Sequence, residues 1–131
     1  MAEAEYNPVS KKAKVLVVDD NEANLELFMD FLAVGGYESL HASNGEDAIE
    51  IVRGEHPDLV LLDIQLPGID GIDVARTLKR DEGTKHIKIV ALTAYAMEMD
   101  REIIMDKALD GYISKPVSLK DFLEALAGYL T

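Results

Sequence analysis

Five times along this chain, a short apolar run of strand-forming character is followed by a longer segment with helical spacing. The runs are 14–18 "KVLVV", 37–42 "YESLHA", 59–62 "LVLL", 87–92 "IKIVAL" and 111–114 "GYIS". The segments after them place their apolar residues on one face. In 22–34 these are Leu25, Phe28, Phe31 and Leu32, in 45–54 Ala48, Ile51 and Val52, and in 71–80 Ile72, Val74, Ala75 and Leu78. In 98–108 they are Ile103, Ile104 and Ala108, and in 118–130 Leu119, Phe122, Leu123 and Leu126. Such spacing marks helices with one buried stripe. The punctuation agrees: Gly35 and Gly36 end the first helix, Gly54 and Pro57 close the second, and Ser118 caps the last. The third run is continuously apolar, as strands buried on both faces are. Five strand–helix units in succession predict an α/β fold, a doubly wound parallel sheet with helices on both sides.

Composition bounds the partners. With 131 residues and 48% apolar content, the chain can bury a core as one domain. It has no cysteine, so thiolate metal sites, thiol nucleophiles and disulfides are excluded. A net charge of −12 argues against direct nucleic-acid binding, because phosphate backbones attract clustered Lys and Arg. The most basic stretch, "LKRDEGTKHIK", is interrupted by acids and reads as a solvated helix end and loop. No apolar run approaches the roughly 18 residues of a membrane helix. The opening "MAEAEYNPVSKKA" lacks the apolar core of a signal peptide. Residues 1–13 are therefore expected to be a flexible tail, 14–131 the folded domain, and the location cytoplasmic.

The strand ends raise the functional question. "KVLVVDD" runs into Asp19 and Asp20, and "DLVLLDIQLPG" runs into Asp63. Ligands of open parallel sheets sit at the carboxyl ends of the strands, near the point where strand order reverses. Asp19, Asp20 and Asp63 are thus expected at one edge, with Thr93 just past strand four and Lys115 just past strand five. Three crowded carboxylates cost stability unless a cation is present. An all-oxygen set without His or Cys suits a hard ion, and Mg²⁺ commonly takes one or two carboxylates plus water and phosphate. Acid, Mg²⁺, lysine and hydroxyl together suit phosphoryl transfer, which is mostly positioning and electrostatics. An aspartate can itself be the nucleophile, forming an acyl phosphate.

The acid pair in "LVVDDNEAN", the acid in "LVLLDIQLPGIDG", the hydroxyl in "VALTA" and the lysine in "GYISKP" stand in one order. In that order, with Thr93 30 positions and Lys115 52 positions after Asp63, the chain resembles the receiver domains of two-component response regulators, from about Lys14 to Leu130. The likeness is to chemotaxis-regulator-like receivers of the standalone or hybrid-kinase type. It implies a flavodoxin-like, five-stranded sheet of order 2-1-3-4-5 with five helices. It also implies that Asp63 is the phosphoacceptor. Asp20 would ligate Mg²⁺ directly and Asp19 through water, with Asp63 and the backbone carbonyl of Gln65 as further ligands; Mn²⁺ would substitute. Lys115 would pair with a phosphoryl oxygen, and Lys115-Pro116 is a candidate cis peptide. Thr93 would hydrogen-bond the phosphoryl group and Tyr112 would rotate into the space vacated. That changes the face formed by the 98–108 helix, the 111–114 strand and the 118–130 helix. Gln65 and Tyr95 would tune hydrolysis by flanking the path of water. The implied partners are a histidine kinase or histidine phosphotransfer protein and a downstream protein target or output domain. The chain would be no enzyme beyond its own phosphorylation and dephosphorylation.

Other roles compete for these residues. Asp19 and Asp20 also suit helix capping, with Asn21 expected to hold the cap alone or in part. Gly68 and Gly71 read as loop geometry, and Met97, Met99 and Met105 as packing or a partner surface. His41, His56 and His86 lack partners at metal spacing, so the donor histidine is expected on another protein. A Mg²⁺-dependent aspartyl phosphatase shares the acid logic but wants a second acid where Gln65 stands. A flavodoxin-like flavin protein wants a Ser, Thr and Gly loop where "DDNEAN" stands.

Overall fold

Three of the described helices begin where a side chain takes an orphan amide. Asn21 accepts from the Asn24 amide and starts α1 (Glu22–Val34), as expected, and Asn44 accepts from Asp47 to start α2 (Gly45–Glu55). Ser118 Oγ accepts from the Asp121 amide at the head of the C-terminal helix. The structure is a computed structural model that describes residues 12–64, 71–93, 108–115 and 117–130. Among the described residues the remaining helices are α3 (Gly71–Arg80) and α4 (Leu119–Leu130). The helix expected over 98–108 lies outside the described residues except for Ala108, which is buried in a turn.

The end of α2 differs from expectation. Gly54 stays inside the helix and Pro57 lies beyond its end. His56 makes the cap in the left-handed region (φ 49, ψ 60), its amide donating to the Val52 carbonyl. Histidine is among the few residues besides glycine that enter this region with some frequency.

The strands β1 (Lys12–Val18), β2 (Tyr37–Ala42), β3 (Leu59–Asp63), β4 (Lys88–Thr93) and β5 (Gly111–Ser114) form one sheet in the order β2-β1-β3-β4-β5. Every pairing is parallel. This is the flavodoxin-like order that the resemblance implies. β1 begins two residues earlier than the spacing predicts. β3 and β4 each run one residue further, because the ladder continues through Asp63 opposite Leu92 and Thr93 opposite Ser114. Asp63 and Thr93 are therefore strand residues with fixed backbones, rather than residues of the loops that follow.

Strand alternation divides the core into two layers. Leu16, Val18, Val60, Leu62, Ile89 and Ala91 face α2 and α3, where Ala48, Val52, Val74 and Leu78 meet them. Val15, Val17, Leu59, Leu61, Val90 and Leu92 face the other way, toward Leu25, Phe28 and Leu32 of α1 and Phe122 and Leu126 of α4. The rings of Phe28 and Phe122 stack there with centroids 5.4 Å apart. With both faces covered, the sheet leaves its strand ends as the place where polar side chains can gather.

Candidate phosphoryl-transfer and metal site

Register sets the site. Val18 pairs with Leu62 across β1 and β3, so Asp19 and Asp63 emerge side by side at the carboxyl edge. The Asp19 amide donates to the Ala42 carbonyl at 3.1 Å, which carries the β1 ladder one residue past the strand. On the far side the Lys115 amide donates to the Thr93 carbonyl at 2.7 Å and fixes the lysine just beyond β5. Carboxylate oxygens of Asp19, Asp20 and Asp63 lie within 4.8 Å of one another. Four strand ends thus converge on one point, as expected.

The three acids have unlike surroundings. Asp19 is fully buried and held by three donors. Its Oδ1 accepts from the Asn21 amide at 2.9 Å, and its Oδ2 accepts from Asn24 Nδ2 at 3.2 Å and from Lys115 Nζ at 3.0 Å. A buried carboxylate without such partners would be strongly destabilising, so this network is what makes Asp19 tolerable. Asp63 is half-screened, with Lys115 Nζ 3.8 Å from its Oδ2. Asp20 is exposed, and its carboxylate has no hydrogen bond or ion pair among the described residues. Lys115 is itself largely covered, its Nζ 6.0 Å from the centre of the Phe28 ring.

Of the residues expected from the sequence, the structure brings Asp19, Asp20, Asp63 and Lys115 together, while Thr93 is buried at the end of β4, its carbonyl accepting from the Lys115 amide. Tyr112 is half exposed on β5. Gln65, Tyr95 and Pro116 lie outside the described residues, as do Gly68, Met97, Met99 and Met105. One participant was missed. Asn24 stands in the first turn of α1, where the chain comes back over Asp19, and its amide reaches that carboxylate. The signal was present as the second Asn of "DDNEAN", three residues after the cap and so on the same side of the helix.

The sequence model of the response regulator receiver domain matches residues 15–127. The chain belongs to that family. The polar-differentiation response regulator DivK of Brucella ovis is 44% identical over 116 residues, which cover 88% of this chain and 94% of DivK. The receiver domain of the sensor histidine kinase PA1611 from Pseudomonas aeruginosa PAO1 has the same fold, with a TM-score of 0.84 at 27% identity. The match covers 90% of this chain and 97% of that one, and its crystal structure has a magnesium ion coordinated in the active site cleft. The chemotaxis response regulator CheY4 of Vibrio cholerae matches with a TM-score of 0.85 at 23% identity, over 92% of this chain and all of that one, and shares the fold. As a receiver, the chain is a two-component phosphorelay protein. No helix among the described residues is long and apolar enough to cross a membrane.

The donor set of this receiver fits a hard divalent cation. It is all oxygen, three carboxylates converge, and one of them, Asp20, has no competing partner among the described residues. Asp20→Asn is accordingly expected to stabilise the cation-free fold by about 1 kcal/mol, the size of a water-screened charge pair at such a separation. The same change should weaken Mg²⁺ binding. Urea unfolding with and without Mg²⁺ checks both, and a loss of stability in the cation-free variant would contradict a crowded site.

Proposed function

We propose that Asp63 is the phosphoacceptor of this receiver, with Asp20, Asp63, the Gln65 carbonyl and, through water, Asp19 holding Mg²⁺. The observation that carries this reading is the convergence of three carboxylates within 4.8 Å, with Lys115 reaching both Asp19 and Asp63. The donor is a phosphohistidine on a kinase or phosphotransfer protein. A carboxylate oxygen of Asp63 attacks phosphorus. The new O–P bond forms as the P–N bond breaks, and the imidazole nitrogen keeps the electron pair and takes up a proton. Bound Mg²⁺, or Mn²⁺ in its place, supplies positive charge against the phosphoryl oxygens.

Lys115 exchanges its contact with Asp19 for one with a phosphoryl oxygen, and the Thr93 hydroxyl donates to another. Tyr112, half exposed on β5, then turns inward and alters the face that β5 shares with α4. A downstream protein or output domain reads that face. A phosphoryl group adds about two negative charges and three strong acceptors. Reversing a two-state population from 1:99 to 99:1 needs roughly 5.5 kcal/mol of differential stabilisation, which such contacts can supply. The chemistry extends no further than phosphorylation and dephosphorylation of Asp63, and the setting is cytoplasmic.

Intact-mass measurement after incubation with acetyl phosphate tests the reading. One phosphoryl adduct is expected with Mg²⁺ and none with EDTA. An adduct that forms equally well without a divalent cation would refute the assigned site. Gln65 and Tyr95 set the adduct's lifetime by flanking the path of water, and faster decay in Tyr95→Ala is the expected sign.

A further inference from the structure

The two oxygens of Asp19 are occupied unequally. Oδ1 takes one backbone amide, whereas Oδ2 takes both Asn24 Nδ2 at 3.2 Å and Lys115 Nζ at 3.0 Å. Asn24 is well placed to hold that carboxylate still. Its own backbone amide is tied to the Asn21 side chain at 3.0 Å, and Asn21 in turn donates to Asp19 Oδ1. A closed loop of three hydrogen bonds, Asp19 to Asn21 to Asn24 and back, therefore fixes the orientation of a carboxylate with no exposure. Asp20, one residue on, has no such restraint among the described residues.

We propose that Asn24 is a positioning residue that commits Asp19 to Lys115 as the lysine's resting partner, leaving Asp20 and Asp63 as the acids that meet the divalent cation directly. The inference rests on the phosphoryl-transfer reading above and deepens it. Two consequences follow from the same contact, and they have opposite signs. The amide's positive end offsets part of Asp19's charge, so Asn24 weakens the pull of the acid cluster on a cation. When Lys115 leaves Asp19 Oδ2 for the phosphoryl group, the Asn24 amide still occupies that oxygen. A buried carboxylate is then not left without a side-chain donor, and release of the lysine is less costly. Asn24 thus lowers Mg²⁺ affinity and raises the rate of phosphoryl uptake.

The test compares wild type with Asn24→Ala by calorimetric titration with Mg²⁺ alone and by the rate of uptake from acetyl phosphate at saturating Mg²⁺. The variant is expected to bind Mg²⁺ about threefold more tightly and to take up phosphoryl about tenfold more slowly, as suits loss of one charge-assisted hydrogen bond. In a Lys115→Ala background, Asn24→Ala should no longer slow uptake. General damage to the fold would instead weaken Mg²⁺ binding and uptake together. Asn24→Ser, whose hydroxyl is too short to replace the amide, serves if the alanine variant does not fold, and should move both readouts the same way. Mg²⁺ affinity unchanged or weakened in a folded variant overturns the proposal, as does undiminished uptake. Failure of the wild type to bind Mg²⁺ or to take up phosphoryl would instead overturn the reading on which it rests.

Discussion

Asp63→Asn should take up no phosphoryl group from acetyl phosphate at any Mg²⁺ concentration, while remaining folded. The amide matches the carboxylate in shape and keeps the β3 ladder opposite Leu92. What it lacks is the ionised oxygen proposed to attack phosphorus, and nucleophilic catalysis fails with its nucleophile. The variant should also relieve repulsion with Asp19 and Asp20, whose oxygens lie within 4.8 Å, so its cation-free form should unfold at higher urea than wild type. Intact mass and a urea melt on the same sample read both effects. An adduct retained at wild-type level would place the acceptor elsewhere. A stability loss would mean that Asp63 is held by contacts the amide cannot replace, beyond the 3.8 Å approach of Lys115.

Gly71→Ala should be the most damaging small substitution near the site. Gly71 opens α3, and its amide donates to the Ile64 carbonyl at 3.1 Å. A Cβ placed there would lie 2.6 Å from Ile64 Cα, 2.7 Å from the Asp63 carbonyl oxygen and 2.9 Å from the Ile64 carbonyl oxygen. All three are backbone atoms, so no side chain can swing aside. Relief requires moving either α3 or the end of β3, whose interior residues are fully buried. Overpacking of this kind costs about 3 kcal/mol. Because one of the displaced atoms is the carbonyl oxygen of Asp63 and the other two belong to Ile64 beside it, phosphoryl uptake should fall along with stability. The urea midpoint of Gly71→Ala against wild type measures the first, and a midpoint within the scatter of replicate melts would show that the α3 entrance yields easily. The sequence reads this glycine as loop geometry, whereas the structure makes it the first residue of α3, pressed against the backbone at the end of β3.

Much of the site was readable because its members are tied to strand ends, and strand ends are visible as places where apolar runs stop. Asp19, Asp20, Asp63 and Lys115 follow such runs directly. The histidine cap of α2 was misread, since Gly54 is the residue that propensity favours as a helix terminator. Its backbone is instead carried through to Glu55, and His56 accepts the left-handed turn. Asn24 escaped notice for a different reason. Capping explains Asn21 by local rules alone, whereas the role of Asn24 depends on where the first turn of α1 lies over Asp19 and on Lys115, nearly a hundred residues away.

The sequence by itself determined the doubly wound sheet and the acid-plus-lysine chemistry, because apolar periodicity and residue type are local properties that each segment carries alone. Only the tertiary structure decided how that chemistry is divided among the acids. Asp19 and Asp20 are neighbours of identical type, yet one is sealed beneath α1 and bound to Lys115 while the other faces solvent. That difference comes from which way each side chain leaves the end of β1, and from the burial and partners it meets there.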